Sequence, residues 1–251
     1  MRIVLLTLAL LAHLAVNAQS LPPSLKKVAV ISLIGDQLSL DVYRQRAGVS
    51  LDTNAREVIA LQDPVFDHIA LLAAVDHGAK LVPKALFLPL SVPKAGSLLD
   101  PNLLLLDRAV PIPGTITDAL QKQGFDHLLA ITKHSARAQV LFSNGGTPGG
   151  TLKGLGFYVD NSLWTREADS ANSAQGFIAP YAYLKLTLVD LSTGYTVREE
   201  FLTSSRAQSA VRNKEGLGAW DALNPKEKAD MLNGLIRAGI SAALSKLLQG
   251  T

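Results

Sequence analysis

The chain has 251 residues, 24 Lys+Arg against 21 Asp+Glu, 48% hydrophobic residues and no cysteine. That length buries a real core in one medium domain or two small ones, and the apolar fraction beside 18% charge argues against disorder. The missing cysteine excludes disulfides, thiolate zinc sites, cysteine nucleophiles, iron–sulfur clusters and cysteine-borne lipid anchors, and a formal charge of +3 carries no implication of nucleic acid.

The first residues form an address. Arg2 precedes an apolar run that leads into Val16-Asn17-Ala18, with the small Ala18 placed for cleavage between Ala18 and Gln19. The run is about a dozen residues long and is broken by His13, short of the roughly 20 that a membrane span needs. Residues 1–18 therefore read as a cleaved signal peptide and 19–251 as the mature chain, whose charge falls to +2 with the loss of Arg2. No transmembrane segment is expected after the leader, since Leu103 to Leu106 stops at Asp107. A short leader with one charge points to a bacterial envelope protein in the periplasm, the extracellular space being the other exported destination.

Lys27 to Ile34 is a near-continuous apolar, β-branched run, expected as a strand buried on both faces, with Gly35-Asp36 as a turn. Leu38, Leu40 and Val42 alternate with Ser39, Asp41 and Tyr43 as in a half-buried strand. Arg56 to Leu61 reads as its returning partner, with a helix over Ala55 to Gln62 as the competing reading. Asp63 and Pro64 open a helix that Gly78 would end, with Val65, Ile69, Leu72 and Ala73 as its apolar stripe. Six prolines between Lys80 and Pro113 forbid long regular elements, so 80–113 is expected as a connecting segment with short extended pieces. Thr115 to Asp118 fits a capping box for a helix ending near Gly124, and Phe125 to Thr132 is a second apolar strand. Together they imply a crossover onto a sheet.

Val140 to Phe142 continues the β pattern, Ser143 to Gly156 reads as a glycine-rich loop, and Asn161 to Gln175 as a polar loop. Tyr181 to Thr203 is a hairpin around Leu191-Ser192-Thr193-Gly194, with Leu188 placed opposite Val197, Leu184 opposite Phe201 and Lys185 opposite Glu200. Asn224, Pro225 and Glu227 open the closing helix, whose stripe runs from Leu232 to Leu247, with Gly234 and Gly239 as weak points unless packed closely. The expected fold is α/β (α+β): one mixed or mostly antiparallel sheet, a helix crossover, and a long C-terminal helix packed on it, in a single domain.

Four histidines follow the leader: His68, His77, His127 and His134. His68 and His77 fall on opposite sides of one helix, and His127 and His134 on opposite faces of one strand. Neither pair chelates locally, so no metal and no other cofactor is expected. Phe66-Asp67-His68-Ile69 and Phe125-Asp126-His127-Leu128 echo each other, but one falls in a helix and one in a strand, which reads as coincidence. Ser91-Val92-Pro93-Lys94 has the serine–lysine spacing of penicillin-binding enzymes, yet Pro93 spoils the helix that those enzymes need. Gly145 to Gly154 lacks the Gly-Lys-Ser/Thr of a phosphate loop. Trp164 and Arg166, in a polar loop, are residue types that anchor protein contacts, a tryptophan folded back on the core being the other reading. Tyr181, Tyr183 and Lys185 share a strand face that is either a binding surface or a face covered by a helix.

Three pieces resemble a group of bacterial envelope domains: the opening strand Lys27-Val28-Ala29-Val30-Ile31, the junction Gly124 to Ile131, and the hairpin Leu186 to Val197. The group includes the amino-terminal domain of TolB, the curli-secretion lipoprotein and the lipoprotein activators of penicillin-binding proteins. The resemblance implies a non-catalytic α/β domain that docks onto other envelope proteins. The chain departs from the group in lacking a lipidation cysteine and in its segment 80–113, which puts membrane anchoring and pore formation in doubt. It also looks like exported bacterial proteins of unknown function. The resulting expectation is an exported binding or assembly-accessory protein with an envelope protein as partner and no catalytic site. The competing readings are a small hydrolase drawing acid and base from Asp36, Asp126 and His134, and a small-molecule binder with a pocket beside the proline-rich segment.

Overall fold

The computed structural model describes residues 25–44, 54–91, 114–140, 149–166, 173–212 and 218–249. The expected signal peptide with its expected Ala18–Gln19 junction, and residues 92–113 of the proline-rich segment, lie outside the described residues. In chain order the elements are β1 (Lys27–Ser32), β2 (Gln37–Val42), β3 (Ala55–Ala60), α1 (Val65–Leu81), β4 (Leu86–Pro89), α2 (Gly114–Lys122), β5 (His127–Lys133), β6 (Ser135–Arg137), β7 (Thr151–Arg166), β8 (Ser173–Asp190), β9 (Thr196–Ser205) and β10 (Gln208–Ser209). Two 3-10 turns (Ala210–Arg212 and Ala219–Ala222) then lead to α3 (Pro225–Gln249).

One mixed sheet forks around β8. Its first part pairs antiparallel with β7 from Ser173 to Tyr183, and its second part with β5 from Leu184 to Asp190. The other edge of β8 carries β10 and then β9. One wing continues from β7 to β2 and β3, the other from β5 to β1 and β4. Within the second wing β1 is parallel to both neighbours, as two helical crossovers require.

Side-chain alternation on β1 places those crossovers on opposite faces. Val28 and Val30 share a core with Phe66, Ala70 and Ala74 of α1 and with Ile236, Ile240 and Leu244 of α3. Ala29 and Ile31 pack instead with Leu120 of α2 and with Leu128 and Ala130 of β5. A third core lies under the other wing, where Tyr158, Phe177, Tyr181 and Tyr183 meet Ala138, Val140 and Leu152. The α3 start matches its sequence signature: Glu227 N–H donates to Asn224 Oδ1, and Asn224 N–H to Glu227 Oε2, each at 2.9 Å.

Four local expectations are corrected. Gly78 does not end α1, which runs on to Leu81; a Cβ there would come within 2.7 Å of the Phe87 ring, so the glycine serves close contact with β4. Asp63 gives α1 no side-chain cap; its backbone oxygen accepts the Val65 N–H at 2.8 Å. The stretches from 151 to 156 and from 161 to 166 are strand, as is the chain from Ser173. Asn161 to Trp164 are exposed, so that end of the ladder carries no apolar alternation to betray it. In the hairpin, Val189 pairs with Thr196, but Val197 is bulged out, so Leu188 meets Arg198, Leu184 meets Leu202 and Lys185 meets Phe201. That one-residue shift seats Leu202 against Gly239 of α3. Arg56 to Ala60 is strand, paired antiparallel with β2.

Candidate functional site

A concave feature of the second wing lies at the carboxyl ends of β1 and β4. Open sheets with parallel strands leave a crevice there, where successive connections depart to opposite faces. Here α1 and α2 take those opposite faces, and a cleft of about 230 Å³ results. It is lined by Ser32, Gly35 and Asp36 after β1, by Asp67, His68 and Leu71 in the first turns of α1, and by Leu90 and Ser91 after β4.

Asp67 organises its floor. Its carboxylate accepts Ser32 Oγ at 2.5 Å, Ile34 N–H at 2.8 Å and Gly35 N–H at 2.9 Å. Burial pushes its carboxyl above the usual carboxylate range despite those three donors. Lys133 stands within electrostatic reach of Asp67 and Asp36, and its Nζ donates to Gln37 O at 3.3 Å. Burial, with Lys153 nearby, holds that ammonium below the ordinary lysine range. Asp67 is committed to the connector, and His68 and Ser91 also line the cleft.

The histidines do not assemble a centre. His77 Nε2 and Ser245 Oγ share a hydrogen bond of 2.9 Å between α1 and α3. His127 is buried at the start of β5, with Nδ1 3.0 Å from Asp126 Oδ2 and no partner for Nε2. His134, beyond the other end of β5, meets Phe201 at a tilt of 48° with ring centres 4.6 Å apart. Asp126 and His134 thus stand at opposite ends of β5, too far apart to act as one acid–base pair. Among the described residues no three of His, Asp and Glu gather to hold a metal ion.

The residues read as partner-binding divide. Tyr181 and Tyr183 are 0% exposed and Lys185 is 4% exposed, so they are not a surface. What covers the tyrosines is the chain from Ala136 to Val140, not a helix: Tyr183 OH accepts the Gln139 N–H at 2.8 Å. Tyr181 OH donates to Asp41 Oδ2 at 2.6 Å, and Lys185 Nζ lies 3.4 Å from Glu199. Trp164, by contrast, is 69% exposed beside Leu163 at 40%, near the end of β7, and Arg166 ends that strand.

No family model matches the chain, and no curated protein matches it. Solved structures similar to it include the PelC dodecamer from Paraburkholderia phytofirmans, at 13% identity and TM-score 0.35, covering 91% of this chain and 94% of that one. Protein XCC0632 from Xanthomonas campestris, of family DUF330, is similar at 12% identity and TM-score 0.37, covering 92% and 86%. A putative neuraminyllactose-binding hemagglutinin homolog from Helicobacter pylori is similar at 10% identity and TM-score 0.41, covering 92% and 89%. These are bacterial proteins other than the TolB, curli-secretion and activator group that the strand patterns resemble.

The cleft residues carried one sequence signal, the Phe-Asp-His echo. Its two copies lie in different elements, as expected, yet the aspartates have one use. Asp67 accepts backbone N–H groups just after β1, and Asp126 accepts those of Lys26 and Lys27 at its start, at 3.0 and 2.6 Å.

Proposed function

We propose that this is an exported, periplasmic, non-catalytic binding or assembly-accessory protein of the bacterial envelope, which meets a protein partner through the far end of the β7–β8 arm. The observation that carries this reading is Trp164, the large aromatic at 69% exposure, with Leu163 next to it, on a paired strand rather than a loose loop. Tryptophan supplies a large contact area at little conformational cost and is enriched among residues that dominate binding energy. The arm is braced for such a role: Thr165 Oγ1 lies 2.7 Å from Ser209 Oγ, and Ala219 N–H donates to Asn161 Oδ1 at 2.9 Å.

The test is a photo-crosslinking amino acid placed at position 164 in the native host, with the exposed Val58 position as comparison. One discrete adduct at 164 and none at 58 is expected; adducts of equal yield at both, or none at 164, refute the docking site. Fractionation of a C-terminally tagged chain is expected to recover a periplasmic form shortened by 18 residues, and a full-length cytoplasmic protein would refute export.

The cleft favours a second reading, a small-molecule binder whose pocket borders the proline-rich segment at Leu90 and Ser91. Metabolite pools that raise the Tm of the wild type but not of His68→Ala would support it; identical shifts in both would not.

A further inference from the structure

The end of the molecule opposite the cleft gathers positive charge. Lys26 and Lys27 lead into β1, Lys84 precedes β4, and Lys80, Lys122 and Lys246 stand in the last turns of α1, α2 and α3. Backbone and side-chain contacts bring these elements to one place. Lys26 O accepts the Leu86 N–H at 2.8 Å, Lys27 Nζ donates to Gln123 O just past α2 at 2.8 Å, and Arg198 near the β8–β9 turn donates to Leu247 O of α3 at 3.2 Å. Apart from Lys27, whose Nζ lies 4.4 Å from the centre of the Phe125 ring, these lysines are exposed.

Two acids at this pole are tied to neighbouring groups. Asp126 is held by the Lys26 and Lys27 N–H groups and by His127, and Asp190 Oδ1 accepts the Ser192 N–H at 2.7 Å and its hydroxyl at 2.6 Å. Asp76 and Asp118, both exposed, lie a turn earlier on α1 and α2 than Lys80 and Lys122. Three helix carboxyl ends add partial negative charge, about half a unit each before screening, which six lysines exceed. The same pole exposes two large apolar side chains, Leu86 at 52% and Tyr195 at 76%.

We propose that this pole seats the protein peripherally on an anionic phospholipid surface, its lysines among the headgroup phosphates and Tyr195 and Leu86 in the interfacial layer. Lysine clusters are drawn to anionic leaflets, and tyrosine settles at the headgroup level, where its ring is half wet. A protein partner fits less well, because lysine is depleted from protein interfaces while arginine is enriched, and the exposed cations named here are all lysines. No helix among the described residues is long and apolar enough to cross a membrane, so the attachment proposed is to the surface.

The experiment is co-sedimentation of the mature chain with vesicles of phosphatidylglycerol and phosphatidylcholine, and with phosphatidylcholine alone. Binding to the anionic vesicles only is expected, falling steeply as salt is raised. Lys26→Gln/Lys80→Gln/Lys84→Gln/Lys122→Gln should weaken it at least tenfold, given roughly fivefold per lysine near a charged leaflet. All four positions are exposed, so an unchanged circular dichroism spectrum and Tm should accompany that loss. Absent binding to anionic vesicles at low salt, binding indifferent to salt, or full binding by the four-lysine variant would each overturn the proposal. Trp164 lies about 15 residues back along β8 from this pole, on the order of 50 Å of strand, so Trp164→Ala should leave vesicle binding untouched. The two surfaces therefore fail separately.

Discussion

Asp67 and Asp126 clasp the two ends of β1, and their environments drive their protonation in opposite directions. Burial outweighs the donated hydrogen bonds at Asp67 and lifts its carboxyl above the ordinary value of 3.8. At Asp126 burial opposes, but the Lys27 and Lys26 N–H groups and His127 prevail and hold it below 3.8. Asp126 therefore contributes stability that is fully present above pH 3.8 and lost as the pH falls through its folded value, whereas Asp67 favours the fold as the pH falls from its raised value toward 3.8. Asp126→Asn should flatten the acid limb of the urea midpoint plotted against pH; an unaltered limb would exclude this account. Asp41 is the other decisive carboxylate, fully buried and bonded to Tyr181 OH and, at 2.7 Å, to Arg56 Nε. Removing it with Asp41→Ala takes the carboxylate acceptor from the buried tyrosine hydroxyl and the partner from Arg56, and a loss of about 2 kcal/mol or more in urea unfolding is expected. Tyr181→Phe, which leaves the carboxylate its arginine, should lose about 1 kcal/mol.

At the scale of elements, three glycines in helices have different reasons to be there. Gly78 lies against the Phe87 ring, Gly239 against Leu202, and Gly234 has nothing within 4 Å of where a Cβ would stand. Gly234→Ala should thus gain about 0.5–1 kcal/mol by helix propensity, while Gly78→Ala should lose about 1–3 kcal/mol by crowding, both readable as shifts in Tm. Equal gains would mean that the α1–β4 contact is not tight. The glycines also mark where the sequence was legible. Strand β1, the strand-like β3, the crossover helices and the capped start of α3 follow from residue patterns within one window. The role of Gly78, the bulge at Val197 and the burial of Tyr181, Tyr183 and Lys185 depend on chain segments far away in sequence. An alternating strand with tyrosines and a lysine on one side looks half-exposed until Ala136 to Val140 is seen lying over it.

Across the whole molecule, the sheet-and-helix class was legible, and the fork was not, because it depends on one strand changing partners midway along its length. The cleft was foreshadowed only as a pocket near the proline-rich segment, since its lining comes from three separated stretches that no local motif joins. Along β8 the two surfaces fall apart, lysines beside its last residues and Leu163 with Trp164 beside its first.

β8 also governs when any of this can exist. Because β7, β5, β9 and β10 all bond to it, neither wing is complete before residue 190 has been made. A polypeptide halted at residue 172 would hold open ladders and exposed apolar faces, and it should be digested by protease without leaving a resistant fragment. A stable core surviving from such a truncated chain would mean that one wing matures alone. Late closure of this kind keeps a growing chain pliable until just over three-quarters of its 251 residues have been joined.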